Sequence, residues 1–142
     1  LSRLSIDRLR RRIKLSVEKS KTDHTLQKLR VKCTGAHQEI QNLSGGNQQK
    51  VVIGRTLQVS PHVLILDEPT RGVDVGAKYE IYEILFELAQ QGIGLLVVSS
   101  ELPELMGLCD RIAILSQGKW MGILDRSEFS QMEIMKRAVG RA

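Results

Sequence analysis

The stretches LSGGNQQK, from Leu43 to Lys50, and VLILDEPT, from Val63 to Thr70, decide how this chain folds. In the first, a serine and two glycines precede a run of polar residues, a pattern that predicts a turn followed by a helix N-terminus. In the second, a continuous apolar run ends in an Asp–Glu pair, as in a strand that is buried on both faces of a parallel sheet. Together they predict a helical segment that leads into an α/β core.

The remaining sequence extends this arrangement with alternating helices and strands. Residues 1–42 predict short helices joined by polar turns, such as Ser20 to Asp23 and Thr34-Gly35. Beyond them the patterns predict helices over Asn47 to Gln58, Ala77 to Gln91 and Leu102 to Cys109, and strands over Val63 to Leu66, Leu95 to Val98, Ile112 to Leu115 and Trp120 to Leu124. Gly92 stands at a typical helix stop, and Ser127 is the predicted N-cap of a last helix that ends near Val139.

Strands that alternate with helices predict an α/β fold with a mainly parallel sheet and flanking helices. The helical segment forms a subdomain that precedes this sheet. We place the boundary near residues 58–62, which gives a helical part over residues 1–60 and a core part over residues 61–142.

The positive charge is concentrated at the start of the chain. The net charge is +5, and residues 1–35 contain 11 of the 21 Lys and Arg residues but only 3 of the 16 Asp and Glu residues. Leu4, Ile6, Leu9, Ile13 and Val17 give the run around Arg10-Arg11-Arg12 a helix-like apolar stripe. Such a segment is either a solvated helix face or a surface for nucleic acid or anionic membrane.

The composition of 142 residues, 42% hydrophobic and 26% charged, fits one ordinary globular domain. No apolar run reaches the roughly 20 residues that cross a bilayer, and the start of the chain has no signal-peptide pattern. Cys33 and Cys109 lack C-x-x-C spacing, so we expect a reducing, cytoplasmic location rather than a disulfide or metal site.

Ser44, Gly45 and Gly46 stand where the predicted turn meets a helix N-terminus. The free N–H groups and partial positive charge of such a terminus suit a phosphate, and the Ser44 hydroxyl adds a further donor. The common phosphate loop G-x-x-x-x-G-K-[ST] does not occur in the sequence. We therefore expect that this chain is not a self-sufficient ATPase.

Asp67 and Glu68 follow the predicted buried strand, at the carboxyl end where open α/β sheets place ligands. The Asp67 carboxylate can hold Mg²⁺ directly or through water, because this ion prefers oxygen ligands and keeps several waters. The Glu68 carboxylate can orient or deprotonate an attacking water. The alternative for this pair is helix capping.

LSGGNQQK followed by LILDEPT resembles the signature and Walker B motifs of ATP-binding-cassette (ABC) ATPases. NQQK, DEPTRGVDVGAK and SSELPE resemble the second, C-terminal ATPase domain of tandem ATPases that drive ABC import of ribose, galactose, arabinose or xylose. This likeness extends from Leu43 to the C-terminus, whereas residues 1–42 match only in place and helical character. It implies the C-terminal part of a nucleotide-binding domain that takes ATP and Mg²⁺.

In that family two such domains pair head to tail, and each signature closes over the γ-phosphate that its partner's phosphate loop holds. The resemblance implies that Ser44, Gly45, Gly46 and Asn47 make those contacts. Asn47 stands where Gln is commoner in the family. Asp74 matches the aspartate of the D-loop, which crosses the dimer interface, although it can also act as the N-cap of the next helix.

The family's switch histidine is replaced by Ser100 in this chain. A serine cannot become a cation, and His24, His37 and His62 all precede the strand that leads to this position. The resemblance thus implies that the domain's own site is degenerate while its signature is intact. It further implies three partners on the cytoplasmic face of the bacterial inner membrane: a first ATPase domain, a permease and, indirectly, a periplasmic sugar-binding protein.

Two other functions share these motifs. One is a DNA-repair or chromosome-maintenance ATPase, whose basic segment would touch DNA, but such proteins normally carry long coiled-coil heptads beside the signature and none is visible here. The other is a regulatory interaction module without turnover. We favour the sugar importer, for which no nucleic acid is expected.

Overall fold

The computed structural model describes residues 15–140. It contains five α-helices, namely α1 (Leu15–Lys28), α2 (Gly45–Leu57), α3 (Val75–Gln90), α4 (Leu102–Leu108) and α5 (Gln131–Ala138). The described part also contains four strands, β1 (Val63–Asp67), β2 (Gly94–Val98), β3 (Arg111–Ser116) and β4 (Lys119–Asp125). Two short 3₁₀ helices span Ile40–Asn42 and Arg126–Glu128. The predicted α/β class is confirmed. The apolar stripe before Val17 lies outside the described residues.

The chain divides into two compact units, with the division after Leu96. In the first unit, buried apolar side chains come from α2, β1 and α3 and from the segments that connect the elements: Leu29, Ile53, Leu64, Leu66, Val73, Ile81, Ile84, Leu85 and Leu88. The predicted boundary between residues 1–60 and 61–142 stays a prediction.

Helix α1 is continuous through Ser20 to Asp23, so the turn predicted there is wrong. The hydroxyls of Thr22 and Thr25 each donate to the backbone carbonyl four residues earlier, at 2.9 Å. These bonds let short polar side chains lie within a helix, because they satisfy their own hydrogen-bonding groups locally.

Strands β1 and β2 form a two-stranded sheet. Leu64 and Leu66 are buried, but Val63 and Ile65 are 61% and 68% exposed. The prediction that both faces of β1 are buried is therefore wrong for the described residues. Alternate side chains of a strand point to opposite faces, so one face of β1 packs on the core and the other remains open.

In the second unit, β3 and β4 form an antiparallel hairpin whose register pairs Arg111 with Asp125. Gln117 and Gly118 at its turn both have positive φ, 48° and 74°, which suits the right-handed twist of a hairpin. The core of the unit contains Ile112, Ile114, Leu124 and Ile134.

The predicted N-cap of the last helix, Ser127, is wrong. The N-cap of α5 is Ser130, and Ser127 lies in the 3₁₀ helix that precedes it. Asp125 and Glu128 form a reciprocal capping box around that 3₁₀ helix, with the Asp125 N–H donating to the Glu128 carboxylate at 3.0 Å. This local pair caps the 3₁₀ helix, so Ser127 lies inside that helix instead of starting α5.

Candidate functional site

Ser44 is the N-cap of α2, as the sequence predicts for a turn that meets a helix. Its backbone is extended, with φ −61° and ψ 155°, and its carbonyl accepts the first helical bond from Gln48 N–H at 2.9 Å. Its side chain is exposed and makes no capping bond to the helix backbone. Because the first amide groups of a helix have no intrahelical acceptor, this terminus can donate hydrogen bonds to an anion.

The Asn47 side chain lies beside Ser44. Its Nδ2 donates to Ser44 Oγ at 2.8 Å, and its Oδ1 accepts from the Lys32 backbone N–H at 2.9 Å. Asn47 therefore connects the exposed serine to the segment that follows α1.

The two glycines of the motif permit close packing against α3 and the loop before it. A Cβ on Gly46 would lie 2.5 Å from Ala77 Cβ, and a Cβ on Gly45 would lie 3.3 Å from Gly72 O. The first of these distances is far below van der Waals contact. Glycine is thus needed at residue 46 for packing within the chain, apart from any approach to a phosphate.

Asp74 caps α3. Its backbone is extended, and its carboxylate accepts from Ala77 N–H at 3.0 Å. The capping role that the sequence allows is confirmed, and a role at a dimer interface stays a prediction. Through Ala77, the structure brings Asp74 close to Gly46.

Asp67 and Glu68 lie at the carboxyl end of β1, where Asp67 is exposed and Glu68 is half-buried. Glu68 has φ +49°, in the left-handed region that side chains other than glycine rarely adopt. Such strain costs on the order of 1–3 kcal/mol and clusters at functional sites. The Glu68 carbonyl accepts from Arg71 N–H at 3.2 Å, which turns the chain toward Asp74.

The residues present fit a magnesium ion of the kind that nucleotides carry. Within residues 15–140, no group of three or more His, Cys, Asp or Glu side chains could hold a metal ion. Mg²⁺ in nucleotide sites needs only one or two carboxylates, because phosphates and waters fill its other positions. The exposed Asp67 carboxylate can supply one such ligand.

Ser100 is exposed and follows β2 in the second unit. Its neighbour Ser99 donates through Oγ to the Glu104 carboxylate and accepts from Glu101 N–H at 3.0 Å. Glu104 is buried. The loop after β2 is thereby fixed to the start of α4.

Sequence reasoning missed the ion pairs that fasten α2 to α3. Lys50 Nζ lies 2.5 Å from Glu80 Oε2 and 3.1 Å from the Arg30 carbonyl oxygen, and Lys50 is only 1% exposed. Lys32 Nζ binds the other Glu80 oxygen at 3.2 Å. Hydrogen bonds from Lys50 and then Lys32 hold the pKa of Glu80 below its ordinary value of 4.5.

The burial pattern of α2 explains why this lysine is buried. The buried residues of α2 are Gly46, Lys50, Ile53 and Gly54, which is the spacing of one helix face. Lys50 therefore occupies a core position of an amphipathic helix, where a lysine needs a carboxylate partner.

Comparison with known proteins agrees with the motifs. The ABC transporter family profile matches residues 3–71. A ribose import ATP-binding protein, RbsA, of Shouchella clausii is 57% identical over 115 residues, which are 81% of this chain and 23% of that protein. A galactose/methyl galactoside import ATP-binding protein, MglA, of Escherichia coli O6:K15:H31 is 52% identical over 120 residues, 84% of this chain and 24% of that protein. The chain thus spans about a quarter of these relatives.

Solved structures agree in fold. The dimeric structure of MJ0796, a bacterial ABC transporter cassette, matches 84% of this chain and 52% of its own, with a TM-score of 0.71 and 24% identity. The cassette MJ1267 matches 92% of this chain and 52% of its own, with a TM-score of 0.74 and 24% identity. No helix in residues 15–140 combines the length and apolar character needed to cross a bilayer. In fold, the chain is similar to part of an ABC ATP-binding cassette, and in sequence it is similar to about a quarter of the ABC importer subunits named above.

Proposed function

We propose that this chain is part of the ATP-binding subunit of a bacterial ABC sugar importer, and that it offers Ser44, Gly45, Gly46 and Asn47 to an ATP held by a partner cassette. The observation that carries the proposal is the exposed start of α2, where the Ser44 side chain makes no bond to its own helix backbone. A terminus of this kind stabilises negative charge.

The start of α2 suits an ATP that another domain holds. Its first amide groups have no intrahelical acceptor and its N-cap side chain makes no capping bond, so it can complete a phosphate site that another domain supplies. The dimeric form of the related cassette MJ0796 supports such pairing.

Asp67 and Glu68 suit the domain's own nucleotide site. Asp67 would hold Mg²⁺, which neutralises phosphate charge when it is bound, and Glu68 would orient the attacking water. Ser100 cannot become a cation, so we propose that the domain's own site hydrolyses ATP slowly or not at all.

The names of the relatives support import of ribose or galactose-type sugars as the process that the complete protein drives. Such a protein couples ATP binding and hydrolysis to uptake through a membrane permease and a periplasmic sugar-binding protein. We propose a peripheral location on the cytoplasmic face of the inner membrane.

The test compares two substitutions in the full-length transporter. Ser44→Arg places a bulky cation where two cassettes close, so hydrolysis and sugar uptake should fall together by about 10²–10³ while ATP binding persists. Glu68→Gln should do less harm, because it changes the degenerate site. The reverse ranking of the two variants would overturn the assignment.

Ser130→Arg is the matched control, because Ser130 is also an N-cap whose side chain makes no capping bond. It measures the cost of an arginine at a helix start, away from the proposed phosphate site. Sugar uptake by this variant should stay near wild type.

A further inference from the structure

We infer that Asn47 fixes the Ser44 hydroxyl as a hydrogen-bond donor, and that Asn47 is a positioning residue that acts on phosphate through Ser44. This inference rests on the proposed function. It refines the proposed role of Asn47, because one amide N–H and the amide oxygen already form hydrogen bonds within the chain.

The Lys32 backbone N–H determines which way the Asn47 amide faces. A backbone N–H can only donate, so the amide atom 2.9 Å from it is the oxygen. The atom 2.8 Å from Ser44 Oγ is consequently the amide nitrogen, which can only donate. Ser44 Oγ must accept this bond with a lone pair.

The Ser44 hydroxyl hydrogen then points elsewhere. A hydroxyl has one hydrogen and two lone pairs, and the bond from Asn47 uses one of the lone pairs. Phosphate oxygens at neutral pH are acceptors, so a serine that is fixed as a donor is matched to them. Without Asn47 the hydroxyl would rotate, and part of the donor's pre-organisation would be lost.

The segment that orients Asn47 is itself held by charged residues. Arg30 binds Glu83 at 2.6 Å and Glu87 at 2.7 Å, both on α3. Lys32 binds Glu80, and the buried Lys50 binds the same carboxylate and the Arg30 carbonyl. The segment whose Lys32 N–H donates to the Asn47 oxygen is therefore held by contacts with both α2 and α3.

The test is a double-mutant cycle for ATP hydrolysis in the full-length transporter, built from Ser44→Ala and Asn47→Ala. Ser44→Ala should lower the rate about 10²-fold or more, and Asn47→Ala should lower it roughly tenfold. If Asn47 acts through Ser44, the double variant should lie within about threefold of Ser44→Ala. If the rate losses of the two single variants multiply in the double variant, the inference is overturned, because Asn47 would then act independently of the Ser44 hydroxyl.

Asn47→Asp gives a second test. Aspartate keeps the acceptor for Lys32 N–H but can only accept from Ser44, so it draws the hydroxyl hydrogen away from the phosphate. It should lower hydrolysis more than Asn47→Ala does, while amide hydrogen exchange at Lys32 should stay as in the wild type. Asn42→Asp adds the same charge two residues before Ser44 and should change the rate less than about threefold. Equal losses for the Asn47→Asp and Asn42→Asp variants would assign the effect to charge and overturn the inference.

The cycle separates this inference from the proposed function. A Ser44→Ala variant with wild-type hydrolysis would overturn the proposed function and the inference with it. If Ser44→Ala lowers hydrolysis strongly and Asn47→Ala lowers it further by an independent factor, the inference is overturned but the proposed function is not.

Discussion

Lys50 Nζ lies 2.5 Å from the Glu80 carboxylate, but the two partners of this ion pair are unequally buried. Lys50 is 1% exposed, whereas the Glu80 side chain is 37% exposed. Loss of Glu80 would leave a buried ammonium whose remaining partner is the Arg30 carbonyl. Loss of Lys50 would leave a carboxylate that reaches water and still binds Lys32.

This inequality predicts that Glu80→Ala destabilises the chain more than Lys50→Met does. Breaking a fully buried pair costs about 3–5 kcal/mol, and the exposure of Glu80 should reduce this to on the order of 2 kcal/mol. Methionine fills the lysine's space without a charge, so its cost should be smaller. Urea unfolding measures both, with Lys32→Met as the exposed control. A larger loss for Lys50→Met would contradict the assigned burial.

The same pair should make stability depend on acidity. The bond from Lys50 lowers the folded-state pKa of Glu80 below 4.5, so the pair stabilises the fold above the unfolded pKa and loses this contribution as pH falls through the folded pKa. The stability difference between wild type and Glu80→Gln should be constant near pH 6–7 and shrink below about pH 4.5. Urea unfolding at several pH values measures it. If the stability difference between wild type and Glu80→Gln grew on acidification, the folded-state pKa of Glu80 would be raised instead of lowered.

Gly46→Ala should destabilise the contact between α2 and α3. The added methyl would lie 2.5 Å from Ala77 Cβ, and overpacking of this kind costs about 1–3 kcal/mol. Gly45→Ala should cost less, because its methyl would meet only the Gly72 carbonyl at 3.3 Å. Adding Ala77→Gly to Gly46→Ala removes the clashing atom and should restore part of the stability. Thermal unfolding of the three variants decides this, and equal costs at residues 45 and 46 would refute the packing argument.

The chain by itself should bind ATP weakly. It has the helix terminus and the Asp67 carboxylate, but its sequence has no phosphate loop. We expect a Kd in the millimolar range or weaker, which corresponds to a binding free energy of about −4 kcal/mol or less favourable. Calorimetry with Mg-ATP measures this, and micromolar binding would contradict the prediction.

Much of the fold could be predicted from sequence because local rules coincide with the tertiary contacts. Ser44 before a helix and Gly92 after one are strong boundary signals, and both stand at the observed ends. Ser20 to Asp23 reads as a turn by composition, but threonine hydroxyls bond back to the helix and keep it continuous. The sequence pattern indicates Ser127 as an N-cap, but Asp125 and Glu128 cap a 3₁₀ helix that contains Ser127.

The motifs located the candidate site, but its supporting contacts were not predicted. Lys50 stands in the polar string NQQK, which suggests an exposed face unless the buried stripe of α2 is already known. The Lys32 N–H that binds Asn47 lies fifteen residues earlier, and the Glu80 carboxylate that binds Lys50 lies thirty residues later. Pairings at such distances depend on how the helices pack, which a single sequence does not specify.

The central claim is that Ser44 faces a phosphate loop of another cassette when ATP is bound. Cysteine cross-linking in the full-length transporter tests it most directly, with Ser44→Cys in this domain, a cysteine in the partner's phosphate loop, and Cys33 and Cys109 replaced by serine. We expect a cross-link that forms with ATP under conditions that prevent hydrolysis and is absent without nucleotide, whereas Ser130→Cys never cross-links. Cross-linking that is indifferent to ATP, or that joins Ser44→Cys to the phosphate loop of its own domain, would contradict it.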